Sequence, residues 1–223
     1  MSAQGGRRSR PTRSEPQASE GRSPSASEQR AQRPGNAREC GACSLCCTVL
    51  RVDELRKLGG TPCVHQRAGG GCAVYETRPG ICRAYRCLWL SGGLRDGDRP
   101  DALGAVLDVV TQAASTWLEI READAGAFER SARLREIAQE YRRSMPVRIS
   151  DTADVLDPAR RFRVLLPNGE ERLVEGEWTT LVRPGLPDAR LRLPWLERWL
   201  RRLSLAIRRQ RVANYRGAHS PRP

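Results

Sequence analysis

Lysine and histidine are almost missing from this chain. Lys57 is its single lysine, and His65 and His219 are its two histidines. So few imidazoles leave at most one usable base for a thiol nucleophile, which makes cysteine catalysis the weakest of the readings open to it. Aromatic residues make up only 5% of the 223 while charged ones make up 29%, which restricts the folded part to a modest core. No stretch approaches the ~18 consecutive apolar residues of a spanning helix. The first 36 residues contain no apolar segment of the kind a secretory signal needs, and too little apolar surface for the amphipathic face of a transit peptide. The chain is therefore expected to be cytoplasmic, where thiols stay reduced. No glycine-rich turn follows a strand, so a nicotinamide or flavin signature is lacking. Internal repeats are absent.

Negative charge is sparse at the ends. Residues 1–36 hold seven Arg against three acids, and residues 183–223 hold eleven Arg against two. These ends carry +4 and +9, which is the whole of the net +13 and leaves residues 37–182 neutral. A neutral body argues against a nucleic-acid groove built into the fold. Basic ends offer at most a weak, salt-sensitive attraction to nucleic acid or anionic lipid, and they also serve as solubilising tails.

The punctuation of the chain predicts an α+β protein. A small, loop-rich, metal-stapled cysteine module packs on short β-hairpins and a few helices. Four parts are expected: a disordered basic tail over 1–36, a cysteine-cluster metal-binding domain with a hairpin and a helix over 37–146, a β-hairpin and a basic amphipathic helix over 147–213, and a disordered tail over 214–223. Residues 38–90 are broken by Gly59-Gly60, Pro62, Gly69-Gly70-Gly71 and Pro79-Gly80, so they read as loop, with one short helix at Asp53–Leu58 capped by Asp53 and ended by Gly59. Ala105–Val110 and Trp117–Ile120 read as a hairpin joined by Thr111–Ser115. Phe128, Leu134, Ile137, Ala138 and Tyr141 place a helix over 127–143 that Pro146 stops. Asn168-Gly169 between Phe162–Leu166 and Glu171–Val174 signals a second hairpin. Pro194 opens a last helix to about Val212, with an apolar stripe of Trp195, Leu196, Trp199, Leu200, Leu203 and Ile207 and with arginines mostly off it. That stripe is expected to pack on its own domain; its other use is docking in a partner protein's groove or on a membrane surface.

Against these scarcities stand eight cysteines packed between Cys40 and Cys87. They are Cys40, Cys43, Cys46, Cys47, Cys63, Cys72, Cys82 and Cys87. Thiolate is the softest common ligand, and a two-residue gap lets one turn offer two sulfurs to one ion. Cys40/Cys43 and Cys43/Cys46 both have that gap. Cys47 points away from its neighbour, toward a second ion or a second corner. Eight thiols allow two four-thiolate sites, one cluster with spare cysteines, or a shared multinuclear site. Three readings compete with metal binding. A disulfide scaffold lacks a secretory signal, a ferredoxin-type cluster would place its fourth cysteine three residues on and before a proline, and a thiol catalyst lacks its base. Arg78, Arg83 and Arg86 are candidates to balance thiolate charge, and His65 is a candidate nitrogen ligand. Trp89 and Trp117 are expected in the core around the site.

Cys40-Gly41-Ala42-Cys43-Ser44-Leu45-Cys46-Cys47, Pro62-Cys63, Gly71-Cys72-Ala73-Val74-Tyr75, Arg78-Pro79 and Cys82-Arg83-Ala84-Tyr85-Arg86-Cys87-Leu88-Trp89 resemble the YkgJ family of bacterial cysteine-cluster proteins, described as zinc- or iron-chelating domains with a CxxCxxCC motif. The resemblance covers roughly residues 38–90. It implies that all eight cysteines are metal positions, with zinc or iron, including an iron–sulfur cluster, as the cofactor, and it names no reaction. Flagellin lysine methylases carry a similar cysteine motif in a larger protein, but the cofactor loop for that activity is lacking here. The function expected is metal binding; the alternative is an iron–sulfur oxidoreductase or electron carrier.

Overall fold

A computed structural model describes the backbone of residues 38–151 and 161–217, and the side chains of these residues as far as Ile207. The tail expected over 1–36 lies outside the described residues, as does His219. The fold is mixed α and β, built on one seven-stranded sheet in chain order. Strands β1 (Ala105–Gln112) and β2 (Ser115–Glu122) form the expected hairpin, both longer than the sequence suggested. They are closed by the two residues Ala113-Ala114, with Ala113 at φ 52°. β3 (Val147–Ser150) then joins β2 in parallel. From there β4 (Arg161–Leu165), β5 (Glu171–Glu175), β6 (Trp178–Val182) and β7 (Ala189–Arg192) add antiparallel neighbours one by one. The sheet thus runs straight across the boundary expected at 146/147.

Strand alternation sends Leu107, Leu118, Ile120, Val147, Ile149 and Leu165 to one side. There they pack against Phe128 of α4 (Ala127–Arg130) and Leu134, Ile137 and Ala138 of α5 (Ala132–Arg142). The single helix expected over 127–143 is two: Ser131 interrupts it, adopts extended backbone, and caps α5 by accepting the N–H of Leu134. Val106, Asp108, Glu119, Arg121, Arg148, Ser150 and Phe162 face the other side. The cysteine segment lies over that second face. Its apolar foot is Val49, Cys87, Trp89, Leu90 and Val106, and the Tyr85 hydroxyl donates to the Asp108 carboxylate.

Residues 38–90 hold only short elements: α1 (Leu45–Val49), a 3-10 turn at Asp53–Leu55, and α2 (Gly80–Ala84). The helix expected over 53–58 stops early, because Arg56 turns to φ 50°, and its N-cap is Val52 rather than Asp53. α3 (Pro100–Leu103) leads into β1.

The last helix, α6 (Trp195–Gly217), runs past Val212 into the segment expected to be unstructured. Its expected cis packing is corrected too. The six stripe residues are 47–71% exposed, while the arginine side holds the body: Arg198 and Arg202 reach the Glu177 carboxylate at 3.7 and 3.0 Å, and Arg201 donates to the Gly176 carbonyl. Charge pairing, not apolar burial, sets which side of α6 turns inward. Among the described residues no helix is long and apolar enough to cross a membrane.

Candidate metal centre

All eight cysteines line one cavity of about 510 Å³ between the cysteine segment and the polar face of the sheet. None is in a disulfide. Local structure explains how they gather. The Cys43 N–H donates to the Cys40 carbonyl at 2.8 Å, closing the turn that brings the first two thiols together. α1 carries Cys46 and Cys47 on successive helical positions, which point about 100° apart. The remote pair Cys63 and Cys72 is brought back by a loop whose Gln66 bridges to Cys72 and holds Thr48 and Ser44 of the α1 region through its amide. That loop can approach only through glycine. Gly70 and Gly71 sit at φ 90° and 81°, and a Cβ there would meet the Ala42 and Gly41 carbonyl oxygens at 2.3 and 2.8 Å. α2 supplies Cys82, and the Glu54 carboxylate caps it by accepting the N–H groups of Gly80 and Ile81.

The thiols interact in two overlapping groups that meet at the Cys46–Cys47 pair. Cys46 feels the charges of Cys40 and Cys43 besides its sequence neighbour Cys47, and Cys87 feels Cys40 and Cys43. Cys40, Cys46 and Cys87 also share one packed apolar cluster. Cys82 feels Cys47, Cys63 and Cys72. Burial pushes the Cys43, Cys82 and Cys87 thiols up, although the N–H groups of Leu45 and Asp101 donate to Cys43 and that of Leu90 to Cys87. Cys47 goes the other way, to about 7, because it accepts the Cys46 S–H and sits near Lys57 and Arg78. Cys46, the donor, is correspondingly raised. Among the described residues, no three His, Cys, Asp or Glu side chains close around one point tightly enough to grip an ion. The thiols stand around the wall rather than at a common centre.

Of the expected helpers, Arg78 lines the cavity, donates to the Tyr75 and Cys82 carbonyls and stacks on Tyr75. Arg86 instead donates to the Leu90 carbonyl. His65 lines the cavity. Trp89 is buried, its indole donating to the Asp96 carbonyl, and Trp117 donates to Glu119 at the sheet. Sequence reasoning missed the role of Lys57. It is 7% exposed, donates to the Thr48, Leu50 and Leu58 carbonyls, and lies within the field of Cys46, Cys47, Cys63 and Cys82. Its rarity was visible, but nothing in sequence marks a lysine as folded inward. Also missed were Glu119, Arg121, Arg148 and Ser150, which form the cavity's sheet-side wall.

Comparison with protein-family models, with curated proteins and with solved structures found no match to this chain.

Proposed function

We propose that the chain binds zinc or iron through its eight cysteines, in two four-thiolate sets: Cys40, Cys43, Cys46 and Cys87, and Cys47, Cys63, Cys72 and Cys82. The observation that carries this reading is that every cysteine of the chain, from five separate places in a loop-rich segment, lines the same cavity in free form. The resemblance to the YkgJ family points the same way. The donor set suits a soft or borderline ion, and Lys57 and Arg78 supply part of the positive charge that thiolates need. Because the thiols ring the cavity, metal uptake draws its walls inward, and binding energy becomes ordering energy for residues 38–90. Eight thiolates also suit two iron–sulfur clusters, and an electron-transfer role is the alternative reading.

The test is elemental analysis with an optical spectrum on anaerobically purified protein. Two metal ions per chain are expected for a zinc protein, and brown, visibly absorbing protein for iron–sulfur. Cys43→Ser and Cys82→Ser should each remove about half of the metal. Less than one ion per chain in the parent ends the reading, and loss of all metal in both variants ends the partition.

A further inference from the structure

We infer that the sheet-side wall of the cysteine-lined cavity binds a small molecule through an oxyanion group, a carboxylate or a phosphate, held by Arg121 and Arg148. Register places the two guanidiniums together. Glu119 pairs with Arg148 and Arg121 with Ser150 on the neighbouring parallel strands β2 and β3, so Arg121 and Arg148 are diagonal neighbours on one face, and both line the cavity.

Each stands in one loose ion pair and makes no hydrogen bond among the described residues. Arg148 approaches Glu119 only to 3.7 Å, its Nε is buried without a hydrogen-bond partner, and its guanidinium carbon lies over the Phe162 ring, 4.4 Å from its centre. Arg121 approaches Asp108 only to 3.7 Å. Their side chains are only 30% and 34% exposed. The adjacent carboxylates are engaged elsewhere: Asp108 accepts from Tyr85, and Glu119 accepts from Trp117 at 2.8 Å and Ser150 at 2.9 Å. Two arginines on the helix side show the contrast. Arg133 grips Asp98 with two bonds of 2.8 Å, and Arg142 makes three contacts at 2.8–3.2 Å. A half-buried guanidinium with idle N–H groups is a fork waiting for a planar or tetrahedral oxyanion.

The rest of the cavity sets the kind of molecule. Its volume, about 510 Å³, lies inside the range of roughly 300–1,000 Å³ usual for small-ligand sites. Val49, Leu50, Val52 and Leu90 offer an apolar wall beside the arginines. An anionic head on a short apolar body fits that division. The ligand would share one cavity with whatever the thiols hold, but the arginine wall is built by the sheet rather than by the thiols, so the inference does not depend on which ion is bound.

The experiment is calorimetric titration of the full chain, as purified, with hexanoate in one arm and inorganic phosphate in the other, with metal content measured on the same samples. Saturable one-to-one binding of at least one probe is expected, and the arm that binds names the head group. Arg148→Gln and Arg121→Gln should each weaken it tenfold or more with metal content unchanged. Arg148→Lys should recover little, because an ammonium cannot replace the fork. No saturable binding in either arm overturns the site, as do Gln variants that bind like the parent. So does loss of metal in both Gln variants with anion binding kept, which would make these arginines counter-charges to the thiolates. If Arg148→Gln fails to fold by circular dichroism, Arg121→Gln, which leaves the stacking on Phe162 in place, decides.

Discussion

On one face of the sheet, Leu107, Leu118, Ile120 and Val147 meet α4 and α5 with at most 1% of each residue exposed. On the other, Glu119, Arg121, Arg148 and Ser150 meet a cavity ringed by thiols. The strands are the same, and alternation alone separates the two environments. The first face supplies the cohesion that a loop-rich segment cannot supply for itself. The second is therefore free to hold polar groups and empty space, which a core does not tolerate but a binding site requires. The comparison teaches that the cysteine module borrows its platform from the sheet and needs little apolar burial of its own.

If that division of labour is right, damage to the two faces should differ in kind. The largest effect is expected from Leu118→Ala, which opens a cavity in the fully buried face and should cost about 3 kcal/mol of global stability in denaturant titration, while the protein that remains folded keeps its full metal. A smaller and local effect is expected from Gly70→Ala. Its φ of 90° and the Ala42 oxygen 2.3 Å away make an added methyl cost about 2 kcal/mol. The loop carrying Cys63 and Cys72 should detach, with fast hydrogen exchange over 63–72 and about half of the metal lost, while β1 and β2 remain protected. Equal loss of protection in both regions would break the comparison.

The smallest of the three concerns pH, on the helix side. Asp98 is 4% exposed, and hydrogen bonds from Arg133 hold its carboxyl below the ordinary carboxylate range. A depressed acid stabilises the fold above its unfolded pKa of about 3.9. That contribution is fully present at neutral pH and is lost as pH falls below about 4. Asp98→Asn should remove roughly 1.5 kcal/mol at pH 7 and flatten the acid limb of the stability curve. A variant with an unchanged acid limb would show that the Arg133 pair is idle.

Several elements were legible from pattern. The β1–β2 hairpin followed from two apolar runs around a small-residue turn, α5 from Leu134, Ile137 and Ala138 at helical spacing, and the β4–β5 hairpin from Asn168-Gly169. β3 was not, because Val147–Ser150 is four residues long and its period of two is too short to stand out beside Pro146. β6 and β7 escaped because their faces are half exposed and mix Thr and Arg with Leu, though Gly176-Glu177 between β5 and β6 is a two-residue turn that signals them. The α6 stripe misled, since apolar periodicity says which residues share a side and not whether anything covers it. At the site, the crowding of the cysteines was readable, and the structure brings all eight to one cavity. The arginine wall was not, because only strand register joins Arg121 to Arg148.

Burial of Lys57 turns the chain's one ε-amine into an internal reporter. Amine-directed acylation should find this group only in molecules whose cysteine segment has opened, since three carbonyls otherwise hold the amine inward. The same shielding should keep a lysine-specific protease from dividing the chain at this position until that segment lets go.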